Sequence, residues 1–150
     1  MLTLRSHAYF RLLQMYGSRW SESEGGSRLC APLERRLQTE NVGLATMKEI
    51  ADQCYMDLDE AMALLKKTGY KRSDIVEPDL DVARGVKLRV AMLREDWQTA
   101  ALLGDELLAS KSLTSNADLK GGFYKPAESW IWGAWNRDLY YWSYQAFNAC

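Results

Sequence analysis

The strongest constraint on the fold is one long amphipathic segment that begins at Thr46 and ends at Gly69. Thr46 is followed three residues later by Glu49, the spacing of a capping box, in which the two residues satisfy each other's free backbone amides. Apolar side chains then recur every three or four residues, at Ile50, Cys54, Leu58, Ala61 and Leu65. The pattern predicts a helix of about six turns that buries one face against other elements.

Three shorter helices are predicted around this one. The first runs from about Thr3 to Tyr16 and stops at Gly17. The third begins near Asp79 and the fourth at Asp96, because both side chains are suited to cap a first turn. The expected inward faces are Leu4, Ala8, Leu12 and Met15 on the first helix, widened by Tyr9 and Tyr16; Ala83, Val86, Val90 and Leu93 on the third; and Trp97, Ala101, Gly104 and Leu108 on the fourth. The last two helices should form a tight antiparallel hairpin.

Two segments break the helical pattern. Residues 18–43 are rich in serine, glycine, proline and charge, and they predict a loop much longer than most helix connections. Residues 123–150 contain ten of the seventeen aromatic side chains, and the stretch around Trp130 alternates as an extended segment does. We therefore expect helices in residues 1–112, with a long loop at 18–45, and an aromatic-rich loop or extended segment in residues 113–150.

Composition excludes several classes of protein. Nineteen basic and twenty acidic side chains leave a net charge of −1, so no overall field attracts nucleic acid or anionic lipid. The three cysteines, Cys30, Cys54 and Cys150, are far apart, which argues against a zinc site and a complete disulfide framework; one pair could still form in an oxidising compartment. No stretch reaches the roughly 20 apolar residues of a membrane helix.

No catalytic arrangement is recognisable in the sequence. The single histidine, His7, has no second metal ligand near it, and we expect it to have a structural role. We expect Asp57, Asp59 and Glu60 to form a solvated, ion-paired helix face rather than an acid–base pair. The sequence therefore favours a protein that is not an enzyme and that carries neither metal nor cofactor.

Trp20 is the strongest candidate for ligand binding, because it follows the first helix in a polar loop. Its indole could stack on the apolar face of a sugar while Arg19 and other polar neighbours bond the hydroxyl groups. The alternative is that the indole only covers the helix end. The aromatic residues around Trp142 allow the same two interpretations, a sugar platform or packing against other segments.

Four segments, in order along the chain, carry motifs of one known family. The positions are Arg5, Ala8, Tyr9, Phe10, Leu12 and Tyr16-Gly17; then Ile50, Asp57, Leu58, Asp59, Ala61 and Leu65; then Ala83, Arg84, Arg89, Val90, Asp96, Trp97 and Ala100; and finally Glu128-Ser129-Trp130-Ile131-Trp132. In this order they resemble the SusD/RagB family of nutrient-binding outer-membrane lipoproteins. Ser6 and His7 depart from the small residues that are usual in the first segment. Together the four segments span nearly the whole chain.

The resemblance implies a mainly α fold of tetratricopeptide-like helical hairpins with long loops, in which residues 113–150 belong to the rest of a SusD-like fold. It implies a surface-exposed protein of the outer membrane, held by a lipid anchor outside this chain. Such a protein captures an oligosaccharide or other nutrient and passes it to a SusC-like TonB-dependent transporter. The expected ligand-binding residues are Trp20, Arg19 and Trp142.

A tetratricopeptide module that binds a peptide in a helical groove is the alternative function. The loop at residues 18–43 separates the two possibilities, because a peptide-binding array of helices normally has short turns there. A glycan-cleaving enzyme would need two carboxylates that face one glycosidic bond.

Overall fold

The computed structural model describes residues 1–36, 42–121, 127 and 129–134. The elements of this part are α1 Leu2–Tyr16, a 3-10 helix Trp20–Glu22, β1 Leu29–Pro32, β2 Leu44–Thr46, α2 Met47–Thr68, α3 Leu80–Leu93, α4 Trp97–Ser110 and α5 Asn116–Gly121. The predicted mainly helical fold and its four long helices are therefore confirmed. Within this part of the chain, no helix has the length and apolar character needed to cross a bilayer.

The four long helices pack as successive antiparallel neighbours. Arg5, near the start of α1, pairs with Asp57 in the middle of α2, while Ser18, just after α1, contacts Met47 at the start of α2. Helix α3 packs against α2, α4 and α1. Only three residues separate α3 from α4, which confirms the predicted tight hairpin and places the ends of all four helices at two opposite sides of the fold.

Local capping fixes the helix boundaries that the sequence predicts. The Thr46 hydroxyl accepts a hydrogen bond from the Glu49 amide at 3.2 Å, and the Glu49 carboxylate accepts one from the Thr46 amide at 2.8 Å. Asp79 and Asp96 each accept a hydrogen bond from the amide three residues further on. Gly69 ends α2 in the left-handed conformation (φ +61°), which glycine adopts without steric cost.

The apolar stripe of α2 forms the centre of the core, as predicted. Ile50, Cys54 and Leu58 are at most 1% exposed. They pack with the buried side chains of α1 and α3 in one cluster. Burial of a leucine or isoleucine side chain contributes about 1.5–3 kcal/mol, so this stripe is the main apolar contribution of α2.

The predicted inward face of α1 is largely wrong, because only Tyr9 among its residues is buried. Leu4 is 42% and Met15 68% exposed, whereas the buried side chains of α1 are Thr3, Ser6, Tyr9, Phe10 and Leu13. The small Ser6 lies against α2, where its hydroxyl donates to the carbonyl of Cys54 at 3.4 Å. Because leucine, alanine and tyrosine occur all around α1, hydrophobic spacing alone does not identify the side that a close helix crossing requires.

The predicted inward face of α4 is also wrong, because the buried positions each come one residue before the predicted ones. Trp97 and Leu108 are more than 60% exposed, whereas Leu103 and Leu107 are buried. Gly104 does face α3: a Cβ added there would lie 3.7 Å from Leu88. Apolar residues on every side of α4 make its periodicity ambiguous, and its packing against α3 decides which of them are buried.

The prediction that Asp57 lies on a solvated face is wrong as well, although Asp59 and Glu60 are exposed as expected. Asp57 is 3% exposed and accepts hydrogen bonds from Arg5 Nε at 2.7 Å and Arg5 Nη2 at 2.6 Å. The amide of Gln53 donates a third at 2.8 Å. The partner on α1 is 52 residues away in sequence, so no local pattern reveals this pair.

Part of the long loop predicted at 18–43 has regular structure. β1 pairs with β2 in an antiparallel two-stranded sheet, with an irregularity between Leu29 and Ala31. The sheet leads directly into α2, because β2 ends at the residue that caps this helix. A turn of 3-10 helix, Trp20–Glu22, lies between α1 and β1.

Residues 113–150 were predicted to form a loop or an extended segment. The short helix α5 lies near the start of this region, and its described residues 129–134 form no strand. The indole of Trp132 donates to the carbonyl of Val76 at 2.9 Å, and the Gly133 amide donates to that of Ile75 at 3.3 Å. Ile131 packs near Gly85 on α3. This stretch therefore lies on the helical core, whereas Trp142 lies outside the described residues.

We expect Asp57→Ala to lower the free energy of unfolding by about 2–4 kcal/mol, because it leaves Arg5 and Gln53 without their buried partner. Asp59→Ala on the same helix is the matched control. Asp59 also pairs with a cation, Lys87, but is 58% exposed, so its loss should cost at most about 1 kcal/mol. Urea unfolding of both variants gives the comparison; equal losses would contradict the buried role of Asp57.

Candidate functional site

Four helix ends and the loop after α1 meet at one side of the fold. We call this region the helix-end surface and define it as residues 18–28, Tyr55 and residues 94–97. It lies beside the C-terminal ends of α1 and α3 and the N-terminal ends of α2 and α4. The candidate residues Trp20 and Arg19 both lie here.

Backbone hydrogen bonds hold the loop of the helix-end surface against the start of α2. The Lys48 amide donates to the Gly26 carbonyl and the Met47 amide to the Arg28 carbonyl, both at 2.9 Å. These amides belong to the first turn of α2, where no intrahelical acceptor is available. The loop therefore satisfies the helix end, and the helix end fixes the position of the loop.

A buried serine closes the loop on itself. Ser23 is fully buried; its hydroxyl donates to the Trp20 carbonyl at 2.6 Å and accepts from the Gly26 amide at 2.9 Å. The Ser27 amide donates to the Ser23 carbonyl at 2.8 Å. This turn places Gly25 and Gly26 at positive φ, where glycine is favoured.

The Trp20 indole is half-buried between the loop and α3. A Cβ added to Gly26 would lie 2.5 Å from Trp20 Cη2, so the glycine allows the indole to rest directly on the loop backbone. The Arg94 guanidinium lies 5.4 Å from the Trp20 ring centroid, within the range of a cation–π contact. Trp20 therefore both packs on the protein and keeps part of its surface in solvent.

Arg94 links Trp20 to a second aromatic ring. Its guanidinium lies 4.7 Å from the ring centroid of Tyr55 and donates to Asp52 at 2.7 Å. The Tyr55 hydroxyl donates to Asp96 at 3.0 Å. Burial and this hydrogen bond raise the pKa of Tyr55 well above its usual value, so the phenol stays protonated and keeps donating at physiological pH.

A hydrogen bond between Ser21 and Glu95 connects the loop to the α3–α4 turn. The Ser21 amide donates to the Glu95 carboxylate at 3.2 Å. Arg19, by contrast, is 75% exposed, and its guanidinium lies 3.7 Å from Glu22. Such an exposed pair contributes little to stability, so the Arg19 side chain is free to contact a ligand.

The structure brings together some residues that the sequence analysis selected and some that it missed. Trp20 and Arg19 share the helix-end surface, with Tyr55, Arg94 and the exposed indole of Trp97 as neighbours in this region. Tyr55 and Arg94 were missed because each lies on a helix far from the loop in sequence. Trp97 was assigned to the core by its spacing. Trp142 lies outside the described residues, and its role stays a prediction.

The helix-end surface combines aromatic rings with a guanidinium and several carboxylates. Aromatic faces pack against the C–H groups of sugars, while charged and amide groups bond hydroxyls. Among the described residues, no group of three or more histidine, cysteine, aspartate or glutamate side chains could hold a metal ion. The arrangement therefore suits a polyhydroxylated ligand held by stacking and hydrogen bonds.

His7 lies away from this surface, at an apolar cavity of about 330 Å³ between α1, α3, α4 and the Ile131–Trp132 stretch. Its ring meets the Trp132 ring edge-on, with 5.2 Å between the centroids. The Nδ1 atom has no hydrogen-bond partner in the described part of the chain. Burial, and then the charges of Arg89 and Arg11, lower the pKa of His7, which fits the structural role predicted for it.

We expect Gly26→Ala to destabilise the protein more than Gly25→Ala does. Both glycines have positive φ, so either substitution should cost about 1–2 kcal/mol of backbone strain. Only at Gly26 would the new methyl group also collide with the Trp20 indole, since nothing lies within 4 Å of the corresponding position at Gly25. We expect a further loss of about 1–3 kcal/mol and a change in tryptophan fluorescence; equal unfolding midpoints would contradict this packing.

We expect the free energy of unfolding to fall as pH is lowered through about 6.5, the ordinary pKa of histidine. The lowered pKa of His7 in the folded state means that the unfolded chain binds the proton more readily, so stability is complete above about pH 6.5 and declines below it. His7→Gln should abolish this slope between about pH 7.5 and 5.5. Urea titrations across that range test it, and an unchanged slope would show that another group is responsible.

Comparison with known proteins gives structural matches. A SusD-like carbohydrate-binding protein from Bacteroides vulgatus ATCC 8482 matches with a TM-score of 0.81 and 28% identity, over 91% of this chain and 30% of that structure. A SusD superfamily protein from Bacteroides thetaiotaomicron VPI-5482 shares the fold, with a TM-score of 0.73 and 17% identity, over 85% of this chain and 28% of that one.

The sequence comparisons give no match. No protein-family model matches the chain, and no curated protein is similar to it. The chain spans about 30% of the length of the SusD-like structure that it resembles at 28% identity. The structural match nevertheless confirms the resemblance seen in the ordered sequence motifs: this chain is similar to part of a SusD-like protein.

Proposed function

We propose that this chain forms the helical portion of a cell-surface protein that binds an oligosaccharide and passes it to a TonB-dependent outer-membrane transporter. The observation that carries the proposal is the match, over 91% of the chain, to a SusD-like carbohydrate-binding protein. At 28% identity and a TM-score of 0.81, that likeness extends beyond a generic helical hairpin.

The helix-end surface is the proposed place of ligand contact in this chain. Trp20 would supply an aromatic face, and the exposed Arg19 would bond hydroxyl groups. The loop is fixed at both ends, by the first turn of α2 and by Glu95, so little conformational freedom is lost on binding. We expect Trp142 to add a further aromatic contact.

The remaining parts of the proposal follow from the SusD-like character. Residues 1–112 act as a tetratricopeptide-like scaffold, and residues 113–150 connect it to the rest of a SusD-like fold. The protein resides at the surface of the outer membrane through a lipid anchor outside this chain, and a SusC-like transporter receives the glycan. We expect binding without catalysis and without a cofactor.

We expect Trp20→Ala to weaken glycan binding by at least about tenfold, equivalent to about 1.4 kcal/mol. Binding of the full-length protein to a panel of soluble polysaccharides, measured by affinity electrophoresis or calorimetry, tests this. Tyr70→Ala is the matched control, because Tyr70 is an exposed aromatic residue just beyond the opposite end of α2. Circular dichroism and thermal melts verify that both variants are folded.

Two outcomes would contradict parts of the proposal. Equal affinity of the Trp20→Ala and natural proteins would remove the site from the helix-end surface but leave glycan capture intact. Failure of the natural protein to bind any glycan in the panel would contradict the proposed function itself.

A further inference from the structure

A polar pocket lies at the side of the fold opposite the helix-end surface, and the proposed function does not use it. The pocket is close to the C-terminal ends of α2 and α4, and it has a volume of about 380 Å³. Its lining includes Arg72, Ile75, Ser110, Lys111, Ala127 and Trp130. The volume lies near the lower limit of the range of about 300–1,000 Å³ that is usual for ligand pockets, so the pocket suits a small ligand.

The charged side chains that line the polar pocket are cations, Arg72 and Lys111. Their carboxylate partners are Asp79, 3.2 Å from Arg72, and Asp81, 3.5 Å from Lys111. All four side chains are only 16–25% exposed. Neither carboxylate is among the residues that line the pocket. Within the described part of the chain, the pocket therefore offers a ligand two positive charges that are held in place from behind.

Both cations keep hydrogen-bond donors that the described residues do not use. The Nε atom of Arg72 faces Asp79 and Nη1 donates to the Ile131 carbonyl, whereas Nη2 donates to no atom of the described residues. The Lys111 ammonium has three N–H groups, and its one ion pair is longer than a direct hydrogen bond. A carboxylate accepts several hydrogen bonds, and those from charged donors are the strongest. The pocket is therefore suited to a single carboxylate group.

Hydrogen bonds fix one wall of the polar pocket to the loop between α2 and α3. Arg72 donates to the carbonyl of Ile131, the residue after Trp130, and the Trp132 indole donates to the Val76 carbonyl at 2.9 Å. Because Arg72 takes part in this network, its guanidinium is ordered before a ligand arrives. Little side-chain freedom is then lost on binding.

The other lining groups suit a ring that carries hydroxyl groups. The Ser110 hydroxyl donates within the protein, to the Leu107 carbonyl at 3.0 Å or to Asp81 at 3.3 Å. Its oxygen can therefore accept a hydrogen bond from a ligand hydroxyl. Half-buried Trp130 adds aromatic surface, which packs against the C–H groups of a sugar ring.

From these observations we infer that the polar pocket binds one acidic sugar unit, a uronic acid. Arg72 and Lys111 hold its carboxylate, Ser110 accepts from a ring hydroxyl, and Trp130 packs against the ring. The ligand class follows from the donors, the acceptor and the aromatic surface that line this pocket. The inference does not depend on glycan binding at the helix-end surface.

Matched sugars test this inference on the full-length protein. The methyl glycosides of glucuronate and galacturonate differ from those of glucose and galactose only at the carbon that carries the carboxylate. Ligand-observed nuclear magnetic resonance titrations give the dissociation constant of each. We expect the better acid to bind at least about tenfold more tightly than its neutral twin, because it gains charge-assisted hydrogen bonds. Its binding should weaken as salt is raised. Acetate, a carboxylate without a ring, should bind at least about tenfold more weakly than the acid sugar.

Variants locate the binding site. Lys111→Gln should weaken binding of the acid sugar by about tenfold or more, whereas Lys111→Arg keeps the charge and should retain most of the affinity. Lys67→Gln, which removes one exposed positive charge near the same end of α2, is the control and should have no effect. Trp20→Ala should also leave this affinity unchanged, because Trp20 lies at the opposite side of the fold. Thermal melts of all the variants distinguish a lost site from a lost fold.

Four results would overturn the inference. The first is no binding of either acid, or no preference for an acid over its neutral twin. The second is acetate binding as tight as that of the acid sugar, which would leave a site for any small anion. The third is equal weakening by Lys111→Gln and Lys67→Gln, and the fourth is loss of acid binding in Trp20→Ala, which would move the site to the helix-end surface. The first three results leave the proposed function untouched, because that is tested with polysaccharides and the Trp20 variant.

Discussion

Asp57 accepts hydrogen bonds from two nitrogens of the Arg5 guanidinium, Nε and Nη2, and from the Gln53 side chain, while it is almost completely buried. The same network extends outward, because Gln53 accepts from Arg35 and Arg5 donates to the Arg35 carbonyl. Loss of these partners would leave a buried carboxylate uncompensated, so the network strongly favours one register of α1 on α2. This register also fixes where α1 ends, and therefore where the segment predicted as a long loop begins.

The register of α1 on α2 decides where the candidate site lies. Once the two helices run antiparallel, the end of α1 meets the start of α2, and the loop between them supplies carbonyl groups to the free amides of Met47 and Lys48. Helix α3 then brings Arg94 to the same end, between Trp20 and Tyr55. The scaffold and the helix-end surface are thus consequences of the same helix packing.

The features that the sequence predicts are those with local causes. The capping box of Thr46 and Glu49, the caps at Asp79 and Asp96 and the apolar stripe of α2 depend on residues a few positions apart, and all are confirmed. The inward faces of α1 and α4 depend on which side a neighbouring helix approaches, and their apolar residues lie on too many sides to reveal it. The partners of Asp57 and Trp20 are distant in sequence, so only the fold shows that one is buried and the other stacked on Arg94.

The central claim is that the helical scaffold holds the Trp20 loop as a glycan-binding surface. The most direct test is to titrate the ¹⁵N-labelled full-length protein with an oligosaccharide that it binds, and to monitor the titration by nuclear magnetic resonance. The account predicts that the Trp20 indole N–H and the amides of Ser21 and Glu95 shift together and saturate at one affinity. Saturable binding that leaves these signals unchanged would contradict it.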